Sequence, residues 1–278
     1  MRRKRGVLGR VGRGLIAILA VGFACACYIY LTLPDVRVLR TGNPQETAFM
    51  RLRDAEARRD GREPKRVHRW VPYNRISSQL KRAVLVAEDS AFWQHDGIDL
   101  HQIRESMEIN LERMEFARGG STITQQLAKN LYLSPSKNPV RKIKELLITR
   151  RLEIALTKQR ILEIYLNVIE WGDGIYGAEA AARTYFRKPA SALSADEAAL
   201  LAAAIINPRT LNPGRPIARL RTRQQMIMRR MGAVTPPASA EPVPVDTVPA
   251  ELPPVLGAPV VLPGEILRPP GSAGGTGS

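Results

Sequence analysis

Cysteine is nearly absent from this 278-residue chain, and its two copies, Cys25 and Cys27, both fall inside one uncharged apolar run. The rest of the chain therefore has no disulfide, no thiolate zinc site and no cysteine nucleophile, and must be stable through its core alone. Histidine is almost as scarce. His68, His95 and His101 make no H-E-x-x-H pair, which removes the common zinc-hydrolase pattern. Acidic residues are also in deficit, 26 against 42 Lys+Arg, for a net charge of +16. Such an excess can mark a nucleic-acid binder, but no helix-turn-helix, zinc finger or aromatic RNA-binding block accompanies it.

What is present divides the chain into unlike parts. Residues 1–13 hold six basic residues and no acid, and residues 14–33, GLIAILAVGFACACYIYLTL, hold no charge at all. Twenty residues at about 1.5 Å each span the roughly 30 Å of a bilayer core, so 14–33 reads as a transmembrane helix. The basic flank keeps the N-terminus cytoplasmic and sends the remainder to the periplasmic side of the inner membrane. A cleaved signal peptide is the rival. Tyr28 to Leu33 prolong the apolar run past Ala24-Cys25-Ala26 and favour an uncleaved anchor.

Residues 34–70, rich in arginine, read as a juxtamembrane connection near lipid headgroups. Residues 71–231 read as one mainly α-helical domain. Ile76, Leu80, Val84 and Ala87 form a helical stripe, Ser121 can cap the helix that follows it, Pro139 suits a first helical turn, and Ser194 with Glu197 has capping-box spacing. Strand-like alternation is nearly missing. Residues 232–278, with 11 Pro and 7 Gly, read as a disordered tail.

Three constellations carry the candidate chemistry. In Glu88-Asp89-Ser90-Ala91-Phe92-Trp93-Gln94-His95-Asp96-Gly97, two carboxylates close an apolar helix. Negative charge there opposes the helix dipole, and a carboxylate among apolar groups suits acid–base work, although a solvated helix end is the simpler reading. In Gly119-Gly120-Ser121-Thr122-Ile123-Thr124-Gln125-Gln126-Leu127-Ala128-Lys129-Asn130, Ser121, Gln125 and Lys129 fall on one helical face, behind two glycines that leave backbone amides open to an anion. The spacing is not that of a P-loop. Lys129, Lys137, Arg141, Lys142 and Lys144 then crowd around Glu145, a cluster suited to phosphate or diphosphate, although Arg141–Glu145 alone would be an ordinary helix pair.

In their order, EDSAFWQHDG, GGSTITQQLAKN, RKIKE and KQRILEIYLN resemble the signature blocks of the peptidoglycan glycosyltransferases that polymerise lipid II, glycosyltransferase family 51. The resemblance runs from about Val71 to Pro213, and an anchor with one such domain is similar to the monofunctional members. It implies a lysozyme-like helical fold with a small membrane-proximal jaw. It also implies Glu88 as the base for the acceptor hydroxyl, Glu145 as an aid to departure of the diphosphate, Lys129, Lys137 and Arg141 around that diphosphate, and Ser121 and Gln125 facing the cleft. Where many members carry Arg, this chain has Lys137.

The expected substrates are lipid II and the growing glycan strand at a lipid membrane, with cell-wall synthesis or division proteins as candidate partners and no nucleic acid. No dedicated metal site is spelled out, and the diphosphate leaves room for a divalent cation, Mg2+ or Mn2+. A lytic hydrolase would have no use for several cations beside its second carboxylate. A penicillin-binding domain is not expected, since no K-[ST]-G occurs and the remaining chain is too short.

Overall fold

In the computed structural model the uncharged run lies within a single helix, α1 (Arg2–Leu31). Gly14–Leu31 is apolar and long enough to cross a bilayer, and none of its residues is buried in the rest of the protein. The structure describes residues 2–101, 103–104, 120–134 and 138–232, with side chains from Gly14 onward. The proline-rich segment after Gly232 and Lys137 lie outside the described residues.

The body is built from α2 (Ala48–Arg59), α3 (Ser78–Glu88), α4 (Ile123–Tyr132), α5 (Pro139–Ala155), α6 (Lys158–Val168), α7 (Ala178–Phe186), α8 (Ala195–Ala204) and α9 (Ala218–Met231). Their starts follow local chemistry. Asn138 caps α5 with Pro139 in its first turn, Thr157 caps α6, and Ser194 and Glu197 close a reciprocal capping box on α8. One small sheet, ordered β1–β3–β2, joins β1 (Val67–His68), β2 (Glu170–Gly172) and β3 (Ile175–Tyr176), with β1 parallel and β2 antiparallel to β3. Strands of two or three residues are too short to show alternation, which is why the sequence pattern misses them.

The core gathers Leu80, Val84 and Leu85 of α3, Ile123 and Leu127 of α4, Ile148 and Leu152 of α5, and Ile161 through Val168 of α6. On α8 the buried run Ala198–Ala204 holds five alanines beside Leu200 and Leu201. Small side chains let α8 pack against both α3 and α9, so the end of α3 sits in a rigid frame. Asn167 of α6 adds a clamp, accepting from Val71 N at 2.9 Å and donating to Val71 O at 2.8 Å.

The segment 34–70 is not a loose connection. Leu33, Val36 and Leu39 belong to the core, Arg160 donates to Leu39 O at 2.9 Å and to Gly42 O at 2.7 Å, and Arg40 donates to Ala155 O at 2.9 Å. Its arginines pair with protein carboxylates: Arg53 with Glu170 and Glu56, and Arg66 with Glu46 and Asp54. Arg53 and Arg66 are thus held inside the fold, while Arg51, Arg59 and Arg62 stay largely exposed.

Candidate active site

Helix α3 ends at Glu88, and the next residue leaves the helix. The two adjacent carboxylates therefore point into different surroundings. Asp89 is buried and accepts from Ile123 N, the first backbone amide of α4, at 2.9 Å, and from His95 Nε2 at 3.0 Å. His95 Nδ1 in turn accepts from Gly97 N at 3.1 Å, so the proton of the neutral ring sits on Nε2. A negative charge that is unfavourable at the C-terminus of α3 is favourable at the N-terminus of α4, and Asp89 joins the two ends.

Glu88 is different. Its side chain is 13% exposed, its Oε2 accepts from Gln126 Nε2 at 2.9 Å, and its Oε1 lies 3.8 Å from Arg223 Nη2. Burial pushes its carboxyl above the ordinary glutamate range and the Asp89 charge adds to this, while the Gln126 hydrogen bond, Arg223 and Lys129 work against it. Tyr165 of α6 donates to Gln126 Oε1 at 2.9 Å, which fixes the amide with its NH2 toward Glu88. A carboxylate held by a neutral amide, with a raised proton affinity, can take a proton from a hydroxyl.

The start of α4 is set by Thr122, one residue later than expected. Thr122 Oγ1 accepts from Gln125 N, Gln125 Oε1 accepts from Thr122 N at 3.1 Å, and the Thr122 hydroxyl donates to Gly97 O at 2.6 Å. Gly97 has φ +85°, and a Cβ on it would sit 2.7 Å from Thr149 Cγ2 and 2.8 Å from Glu153 Cγ, so only glycine lets the loop approach α5 this closely. Gln125 is accordingly buried, with its Oε1 engaged in the cap. Ser121 and Lys129 are exposed, so the expected common face of Ser121, Gln125 and Lys129 does not form. The glutamine that reaches Glu88 is Gln126, next door. The duplicated Gln125-Gln126 was the only signal for it, and the one-residue shift of the cap decides between them.

Glu145 sits on α5, buried, with Oε2 accepting from Arg141 Nη1 at 2.9 Å and Oε1 bonded to the Lys142 ammonium. This is a carboxylate gripped by two cations, not the exposed helix pair that spacing alone allows. Helix α4 contacts both neighbours: Gln126 reaches Glu88 at the end of α3, and Thr124 donates to Glu153 of α5 at 2.6 Å. The same α5 leans on the C-terminal end of α1. Lys144 Nζ lies 3.4 Å from Thr32 Oγ1, and Arg151 donates to Tyr30 O at 3.3 Å with its guanidinium 4.6 Å above the Tyr30 ring.

Among the described residues, Asp89, His95 and Asp99 come close enough to share a metal ion. They do not fit one. Asp89 is committed to Ile123 and His95, both nitrogens of His95 are engaged, and Asp99 has an interaction of its own.

Residues 56–232 match the family model described as Transglycosylase. The chain is 46% identical over 225 residues to a biosynthetic peptidoglycan transglycosylase of Laribacter hongkongensis, covering 81% of this chain and 97% of that protein. It is 45% identical over 230 residues to one of Chromobacterium violaceum, covering 83% and 100%, and 53% identical over 167 residues to one of Aromatoleum aromaticum, covering 60% and 73%.

Proposed function

The chain belongs to the transglycosylase family and is a peptidoglycan glycosyltransferase of cell-wall synthesis, and from that premise we propose how its residues divide the work. Lipid II is joined into linear β-1,4 glycan. Glu88 removes the proton from the 4-hydroxyl of the acceptor sugar as that oxygen attacks the anomeric carbon of the donor. The bond from that carbon to the diphosphate breaks on the opposite side, so the α-linked donor becomes a β-linked product and undecaprenyl diphosphate leaves with the bonding pair.

The leaving diphosphate needs positive charge. Arg141, Lys142 and Lys129 supply it along α4 and α5, with Lys137 in the intervening sequence, and Glu145 keeps Arg141 and Lys142 in place until phosphate oxygens compete for them. Ser121, exposed just ahead of α4, faces the sugar-phosphate end of the cleft. A divalent cation at this point would be held by diphosphate oxygens and not by a protein cage, because the one carboxylate here is bonded to two cations.

The observation that carries the reading is the mostly buried Glu88 carboxylate, held through Gln126 and biased toward binding a proton. A second supports the lipid-linked substrate. Lys144, beside Glu145, contacts the last turn of α1, so the cationic helix stands where an anchor helix leaves the bilayer and a lipid diphosphate would lie. We take α5 as part of the membrane-proximal jaw, the basic N-terminus as cytoplasmic and the domain as periplasmic on the inner membrane.

The test is incubation of detergent-solubilised protein with lipid II, comparing wild type, Glu88→Gln and Glu145→Gln by gel resolution of the glycan. Ladders are expected for wild type, and a rate lower by about 10²–10⁴-fold for Glu88→Gln. Full polymerisation by Glu88→Gln would remove Glu88 as the base.

A further inference from the structure

Helix α9 closes the domain at its C-terminal end, packs on α3 and α8, and carries one residue whose surroundings the scheme above leaves unused. Arg223 lies with Nη2 3.8 Å from Glu88 Oε1, beyond hydrogen-bonding distance, and its Nε–H is buried without a partner among the described residues. Arg223 also lines a mostly apolar cavity of about 340 Å3, together with Ile206, Leu211, Leu220 and Met226. Arg223 thus borders both an apolar groove and the carboxylate.

We propose that Arg223 is a positioning residue for glycosyl transfer, holding Glu88 ionised and correctly placed without occupying the oxygen that must receive the proton. The proposal rests on the reading of Glu88 as the base. The two oxygens of Glu88 are unequal: Oε2 is bonded to Gln126, and Oε1 faces a cation that is near enough to stabilise its charge and too far to block it.

The other charged and titratable groups around Glu88 do not supply the same effect. Asp89, next along the chain, is negative and committed to Ile123 and His95. Tyr165 of α6 acts only through Gln126. Lys129 of α4 is exposed, so water screens it, whereas the Arg223 side chain is 28% exposed and Glu88 13%. Arg223 is the better-shielded of the two cations. A buried carboxylate without it would bind its proton more tightly, leaving less of the base in the form that can act.

The experiment uses the full chain in detergent with lipid II, measuring kcat and KM against pH for wild type, Arg223→Gln, Arg223→Lys and Arg219→Gln. Arg219 lines the same groove on α9 and serves as the charge-matched control. Arg223→Gln should move the acidic limb of kcat/KM upward by about one pH unit and lower kcat near neutrality more than it changes KM. Arg223→Lys and Arg219→Gln should keep the limb at its wild-type position.

Partial unfolding would scale the whole profile down without moving its midpoint, so the limb reports on Glu88 even in a weakened variant. An Arg223→Gln limb that coincides with wild type overturns the proposal. An active Glu88→Gln run alongside overturns the base reading itself, and an inactive Glu88→Gln with an unmoved Arg223→Gln limb overturns the role of Arg223 alone.

Discussion

Replacing Asp89 by alanine removes the acceptor shared by two buried donors, Ile123 N–H and His95 Nε2–H. Each donor left without a partner costs about 1–3 kcal/mol, and the lost charge at the start of α4 adds about 0.5 kcal/mol, for a total near 4 kcal/mol. At roughly 2–4 °C per kcal/mol for a domain of this size, the melting temperature should fall by about 8–16 °C. Asp89→Asn should lose roughly half as much. It keeps the oxygen that serves Ile123, 3.2 Å from His95 Nε2, but its NH2 replaces the nearer acceptor of His95 Nε2–H, and His95 cannot exchange tautomers because Gly97 N–H already points at Nδ1. The assay is far-UV circular dichroism of the full chain in detergent during heating, with lipid II turnover measured well below the transition. Activity should fall in both variants because α4, which carries Gln126 to Glu88, loses its tether. An Asp89→Ala protein melting within about 2 °C of wild type would refute the reasoning.

Two further outcomes follow from the same geometry. Glu88→Gln should be inactive yet more heat-resistant than wild type at neutral pH. Burial raises the folded-state pKa of Glu88 above its unfolded value, so ionised Glu88 costs stability, and that cost is absent below about pH 4.3 and grows as pH rises through the folded pKa. Melting curves at acidic and neutral pH check this: the gain from Glu88→Gln should vanish in acid, and a gain that is equal at both pH values contradicts it. Tyr165→Phe frees Gln126 Oε1 from its donor, allows the amide to turn, and should lower kcat by up to about tenfold through a hydrogen bond worth about 1 kcal/mol, leaving KM nearly unchanged. A kinetic split in which KM alone moves would assign Tyr165 to substrate binding instead.

Pro139 of α5 and the Ser194–Glu197 box of α8 act locally and are legible without any tertiary information. The start of α4 is not. Ser121 and Thr122 are both competent to cap, and the choice is made by Gly97 O, 25 residues earlier in the chain, which receives the Thr122 hydroxyl. That single residue of register turns Gln125 inward and hands Glu88 to Gln126. A related case lies in 34–70: Arg53 finds Glu170, a partner 117 residues away, which no local charge count reveals. Short-range rules read helix ends well and lose accuracy where a distant backbone atom or carboxylate completes the local group.

The two glutamates show why the division of labour runs as it does. A base has to bind a proton during the reaction, so it cannot already be neutralised by cations in direct contact. Glu88 meets that condition, bonded to an amide and facing its nearest guanidinium at 3.8 Å. Glu145 does not, since Arg141 and Lys142 both touch its carboxylate. The arrangement suits a different task. A diphosphate carries more charge than a carboxylate and offers more oxygens, so its arrival can draw Arg141 and Lys142 off Glu145 toward the leaving group, and its departure lets the pairs close again. We propose that Glu145 then acts as a placeholder that keeps two cations ordered between turnovers. The order matters because side chains fixed in advance stabilise developing charge without reorganising at the moment the bond breaks.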